Sequence, residues 1–303
     1  MKRNIYSKLW MIFFVLMGAA CTNQVEDAIP VSDQPIEFSV QSDWKEIPNT
    51  RSNDGKTQFK DSDSIQIFGF HKSLSGEVKK FMYRVGEPAR GQIVEYHGGN
   101  WNYSPKRFWP KEGTIDFYAG YPHYSVLNDE ENHKMTYEQT VNPLQLDLLW
   151  GVATNRDCAT ARNDTVKIWM VHALAKVNIK FDSSLGEIKQ AKVSAYKAGY
   201  FSSADNGVPI WIVDDKTDIQ TAFVPSSTNQ ERIVDATVFI LPEKITGLTL
   251  INKLDGTEID VSDKIQKYTF KAGKVYNLTI SKGVQKKNTN SRSIAMSVRC
   301  VSE

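Results

Sequence analysis

Cys21 stands directly after Gly18, Ala19 and Ala20, at the end of an unbroken apolar run over residues 9–20. Ahead of the run lie Lys2, Arg3 and Lys8. The 12 apolar residues fall short of the roughly 20 that a membrane-spanning helix takes. A basic head, a short apolar core and small residues at its end are the marks of a secretory leader, 1–20, that is cut away. A thiol at the new N-terminus can be acylated. Each buried methylene of an acyl chain such as palmitate then contributes ~0.8 kcal/mol to holding the protein at a membrane. The alternative is an ordinary leader whose first mature residues include a cysteine.

After Cys21 only Cys158 and Cys300 remain. Outside the cytoplasm two thiols can pair, which would tie the end of the chain to its middle; equally, they can be two separate buried thiols. The histidines, at 71, 97, 123, 133 and 172, form no H-E-x-x-H or other metal spacing. Asp61 and Asp63 lack the further ligands and the glycine of a calcium loop. His172 lies 14 positions after Cys158, but nothing else marks an activated thiol. No nucleophile elbow, phosphate loop or dinucleotide fingerprint occurs. The reading is no enzyme, no metal and no cofactor.

Charge points the same way. The formal +2 of the whole chain falls to −1 once Lys2, Arg3 and Lys8 leave with the leader. A near-neutral chain without a dense Lys/Arg stripe has no field for polyanions, so nucleic acid is excluded as a partner. The mature length, about 283 residues, suffices for one large or two medium domains.

The elements that must position these residues are strands. Residues 36–40, 65–70, 92–96, 115–119, 166–171, 177–181, 210–213, 234–241 and 275–280 are short apolar or alternating runs. Gly, Asn and Asp turns separate them, at Gly98–Gly99, Gly113, Asn206–Gly207, Gly256 and Gly273. That pattern predicts an all-β, antiparallel sandwich architecture. Short helices are expected near 129–137 or 143–149. Residues 21–35 read as a flexible polar tether, with Glu26 and Asp27 resembling an acidic surface-export signal. Residues 282–303 read as a polar linker and a strand-like tail, with Ile294, Met296, Val298 and Cys300 on one face.

Several ordered motifs resemble those of the fimbrillin family. Trp101, Tyr103, Pro105, Phe108, Trp109 and Pro110 precede Phe117, Ala119, Tyr121 and Pro122. Thr50–Arg51 and Asp63 to Phe70 come before them. Asp147 to Trp150, His172 to Val177, Leu241–Pro242 and Gly273 to Tyr276 follow in the family's order. The small residues before Cys21 resemble a bacterial lipobox. The resemblance covers roughly residues 36–280. It implies two transthyretin-like antiparallel β-sandwich domains in tandem, at 36–168 and 169–281. It also implies a type V fimbrial subunit or accessory pilin at the cell surface, exported as an outer-membrane lipoprotein. Its partners would be other pilin subunits or itself, and a glycan or host-surface receptor.

The family scheme has a physical basis in this chain. A sandwich that loses its first strand, 36–40, exposes backbone donors and an apolar groove. An alternating segment can fill that groove. Arg51 lies in a polar Asn/Gly-rich stretch of the kind proteases cut. Ile294, Met296 and Val298 are candidate donor-strand residues, although the tail can also pair within its own molecule. Trp101, Trp109 and Tyr121 read as core packing rather than as a glycan platform, and His172 as a buried hydrogen-bonded residue. The other reading of function is a lipid-anchored, non-polymerising surface protein that binds a glycan or host protein.

Overall fold

The computed structural model describes residues 29–42, 59–129, 134–138, 144–202, 209–213, 219–224, 232–283 and 296–302. Cys21, Arg51 and Ile294 lie outside the described residues, as does the side chain of Met296. The regular structure of the described residues is almost all strand. Its first half holds β1 (Val31–Pro35), β2 (Phe38–Ser42), β3 (Ser64–Lys72), β4 (Val78–Met82), β5 (Gln92–His97) and β6 (Asn100–Asn102). Then come β7 (Phe108–Pro110), β8 (Thr114–Tyr121), β9 (Val126–Asp129), β10 (Lys134–Glu138), β11 (Leu149–Asp157) and β12 (Val166–His172). The second half holds β13 (Ala175–Phe181), β14 (Ile188–Tyr196), β15 (Ala198–Ser202), β16 (Ile219–Val224) and β17 (Asp235–Ile240). It ends with β18 (Ile245–Asn252), β19 (Glu258–Asp260), the short α1 (Ser262–Ile265), β20 (Val275–Lys282) and β21 (Met296–Ser302).

An eight-stranded sheet dominates the first half, in the order β2-β12-β11-β8-β3-β5-β6, with β4 paired to β3. Every pairing in it is antiparallel except β2 with β12. A parallel neighbour requires a long crossover, and here the crossover is most of the half-domain. β12 shows why these residues make a strand. Val166, Ile168, Met170 and His172 turn inward while Lys167 and Trp169 face out, the period of a half-buried strand. The inward face packs with Ile36, Phe38, Val40, Ile67, Trp101, Trp109, Phe117 and Leu149 into one core.

The second half is a two-layer sandwich. Sheet β17-β13-β20-β21 faces sheet β16-β14-β18-β19. Val177, Ile179, Val238, Leu278, Ile280 and Val298 from the first meet Ala191, Val193, Val224, Leu248 and Leu250 from the second. β13 runs parallel to β20. Gly273 adopts φ +66° in the turn before β20, a conformation that favours glycine, and its N–H donates to Leu174 O at 2.9 Å.

A three-stranded sheet, β15-β10-β9, joins the halves. Beneath it Phe68, Tyr118, Leu148 and Trp150 pack with Leu174, Phe201, Phe239 and Leu241. The segment before β11 threads all three cores: Leu144 sits in the second-half core, Leu148 at the joint and Leu149 in the first-half core.

Four expectations are corrected. A division at 168/169 would cut β12, which continues to His172 before the chain changes sheets. The end of the expected tether, Val31–Pro35, is β1, paired with β7. It is exposed on both faces, so it carries no apolar period. The helix expected at 129–137 is strand at β10, where Met135 and Tyr137 face the joint, and 144–148 is irregular. Residues 210–213 make only an isolated bridge, Tyr200 to Ile212.

Candidate functional site at the first strand

The motif residues around Trp101 converge on the backbone of the first strand. β2 lies at the end of the sheet path and pairs in parallel with β12, from Phe38 against Val166 to Ser42 against Met170. On its other side no described strand pairs with it in a ladder. Instead, the Trp101 indole N–H on β6 donates to Val40 O at 3.3 Å. The Tyr103 hydroxyl donates to Ile36 O at 2.8 Å and accepts from Arg107 N at 3.2 Å. Ile36 N donates to Arg107 O at 2.8 Å, and Val166 N to Glu37 O at 2.8 Å. The Lys106 ammonium reaches Glu37 Oε1 at 3.0 Å. The sheet thus curls until its two end strands meet, and β2 is the piece that closes it.

The side chains of this segment fill the core. Ile36, Phe38 and Val40 are buried, and burial of each is worth about 1.5–3 kcal/mol. Phe38 packs against Tyr103 at 5.7 Å and edge-on against Phe117 at 5.4 Å. Trp109 meets Phe117 edge-on at 6.0 Å, and Pro110 on β7 pairs with Val31. Trp101 sits among Phe59, at 4.8 Å, and Tyr96, at 5.1 Å. Tyr121, half-buried, touches the same Phe59 at 6.0 Å. Pro122 O accepts from both the N–H and the hydroxyl of Ser125. Burial pushes the Tyr103 phenol up to about 12, and burial with the Asp63 charge does the same for Tyr121. Both remain protonated donors at neutral pH.

Other predicted positions lie elsewhere. His172 is fully buried and pairs through Nδ1 with the Asp147 carboxylate. Burial raises the Asp147 pKa, opposed by the charges of His172 and Lys176. Asp147 was visible in the Asp147–Trp150 motif, but its separation from His172 gave no spacing signal. Tyr276 packs edge-on against Phe270 at 4.9 Å, and its oxygen accepts from Lys271 N at 2.9 Å.

The pairing of Cys158 with Cys300 is corrected: both thiols are free. Cys158 lies in the first-half core and Cys300 against the second-half core. The tail pairs at home. β21 runs antiparallel to β20 from Met296 against Lys282 to Ser302 against Tyr276. Val298 is buried, and its carbonyl accepts from the Tyr268 hydroxyl at 2.9 Å. Among the described residues no cluster of three or more His, Cys, Asp or Glu could hold a metal.

The family described as fimbrillin-like matches residues 50–295. The match opens one residue before Arg51 and closes one residue before β21. Among solved structures, a candidate cell adhesion protein of Bacteroides uniformis is 17% identical, with TM-score 0.52, covering 89% of this chain and 98% of that one. One of Bacteroides ovatus is 14% identical, with TM-score 0.53, covering 89% and 96%. The fimbrial anchor protein Mfa2 of Porphyromonas gingivalis is 11% identical over 88% and 97%, with TM-score 0.43. No curated protein matches. The first two likenesses show a shared fold, and the family match spans most of the sequence: the chain belongs to the fimbrillin-like family.

Proposed function

We propose that the chain is a fimbrial subunit or accessory pilin that serves adhesion. It is exported as a lipoprotein through Cys21, and cleavage after Arg51 opens it for assembly. Removal of everything up to Arg51 takes away β1 and β2. It leaves the pockets of Ile36, Phe38 and Val40 empty, the Trp101 and Tyr103 donors unpaired, and one edge of β12 bare. Such a groove is filled by a strand, with backbone hydrogen bonds for affinity and alternate side chains for register.

One observation carries this reading. The tail repeats the first strand: Ile36, Phe38, Ser39 and Val40 correspond in spacing to Ile294, Met296, Ser297 and Val298. Three of these four residues are identical, and methionine replaces phenylalanine as a flexible filler of the same kind of pocket. A tail from a second subunit therefore has the side chains the groove needs. A contact repeated head to tail does not close and builds a filament. The family match supports the same division, since the matched body at 50–295 excludes β1, β2 and β21.

The second reading is a permanently anchored, non-polymerising surface protein that binds a glycan or host protein. The home pairing of β21 with β20 favours it. The test is the N-terminal residue and mass of the protein taken from the cell surface. A start at Ser52 without lipid is the expected result for an assembling subunit. A lipidated start at Cys21 throughout would overturn that scheme and leave the anchored protein.

A further inference from the structure

The joint between the halves carries a cleft that strand complementation does not use. Its volume is about 430 Å³, and Arg90, Tyr124, Leu127, Thr136, Glu138 and Tyr200 line it. That volume falls in the range of small-molecule sites, roughly 300–1,000 Å³, and such sites favour domain interfaces. Leu127 on β9, Thr136 on β10 and Tyr200 on β15 are directly paired across the three strands, so they share one face. The second half contributes Tyr200 with Ala198 and Gly199; the first half contributes the rest.

The chemistry of the lining narrows the ligand. The Arg90 guanidinium is already engaged, donating to Tyr124 O at 2.8 Å and lying 3.2 Å from Glu87. It balances its own charge and holds the Tyr124 turn in place. Glu138 is balanced by Lys197 at 2.6 Å. With both charges compensated, the cleft has no pull on phosphates, sulfates or cations. Leu127 is the one large aliphatic side chain in the lining, too little for an apolar ligand. What remains is three tyrosines, of which Tyr137 is buried, beside a carboxylate and the Thr136 hydroxyl. Tyrosine offers an apolar ring with a polar tip. A pyranose has the matching surface, an apolar C–H face rimmed by hydroxyls that both donate and accept.

We infer that this cleft binds a neutral saccharide, with Tyr124 and Tyr200 against the sugar face and Glu138 accepting from its hydroxyls. The inference does not depend on whether the chain polymerises. Saturation-transfer NMR on the folded chain, with the methyl glycosides of galactose, glucose, mannose, fucose and N-acetylglucosamine as probes, tests it. At least one probe is expected to bind, and Tyr124→Ala and Glu138→Gln are each expected to weaken it about tenfold or more. Glu138→Gln keeps the shape of the side chain, so it carries the test if Tyr124→Ala fails to fold. Absence of transfer to all the probes, or binding undiminished in the folded variants, overturns the inference.

Discussion

The Tyr103 hydroxyl donates to the backbone carbonyl of Ile36 at 2.8 Å, across 67 positions of sequence. A side chain of the family motif thus holds the main chain of the first strand rather than another side chain. Tyr103→Phe removes the donor and leaves a buried carbonyl without its partner. The expected cost is about 1–3 kcal/mol, the penalty for an unsatisfied buried acceptor, read from denaturant unfolding.

The same phenol makes a prediction in alkali. Burial lifts Tyr103 from 10.0 to about 12 in the folded protein, and burial also leads the shifts of Tyr118 and Tyr121 to about 12. For each, the folded state holds its proton above the pH at which the unfolded chain has lost it. This stabilisation is fully present below about pH 10, declines as pH rises and is gone above about pH 12. Tm is therefore expected to fall steeply between these limits. Tyr103→Phe should flatten that fall without abolishing it, since Tyr118 and Tyr121 remain. An unchanged pH profile in the variant would count against the burial of this hydroxyl.

Such contacts separate what was legible in the sequence from what was not. The alternation of Val166 to His172 predicted β12 because one face of that strand meets a core and part of the other meets water. β14 was missed because Lys189, Gln190 and Lys192 interrupt its apolar residues, although Gln190 is buried. The joint was invisible for a different reason. Phe68, Trp150, Phe201 and Phe239 meet there from strands far apart in sequence, and local periodicity carries no information about such meetings. For the candidate site, Trp101 and Tyr103 were legible as motif positions. That they point at the carbonyls of Val40 and Ile36 depends on the sheet curling until β6 reaches β2.

The His172–Asp147 pair at the end of β12 should be costly to break from one side. Both groups are almost wholly buried, and removal of one partner strands the other in a low-dielectric site. His172→Ala is expected to destabilise by about 3–5 kcal/mol. The double variant with Asp147→Ala should cost less than the two single costs summed, because neither member of the pair is then left buried without the other. Denaturant unfolding of the four proteins in a double-mutant cycle gives the coupling directly. Additive costs would mean that the two side chains do not interact.

The free thiols predict a chemical phenotype. Burial pushes the Cys158 thiol up to about 12 and raises that of Cys300 as well. The thiolate is the reactive form, so neither should react quickly at neutral pH in the folded chain. Iodoacetamide is expected to label both only after denaturation, Cys300 more readily than Cys158 when the fold is merely loosened. Migration on a gel should be the same with and without reductant. A faster unreduced band that is monomeric in mass would restore the Cys158–Cys300 bond.

The proposed groove makes the most direct prediction. A chain beginning at Ser52, refolded with a synthetic peptide of residues 36–42, should take the peptide up beside β12. A peptide of residues 294–302 should compete for the same place, because its Ile294, Met296 and Val298 repeat the apolar spacing of the first strand. Trp101→Phe and Tyr103→Phe should each weaken either peptide by about tenfold or more. Tenfold is the worth of one net hydrogen bond near 1.4 kcal/mol. A double change of Phe38 and Val40 to Asp within the first peptide should abolish uptake, since it places charges where the core is closed to water. Uptake of the 36–42 peptide without competition from the tail peptide would assign the groove to a strand of another protein. Filament growth would then require a second kind of subunit.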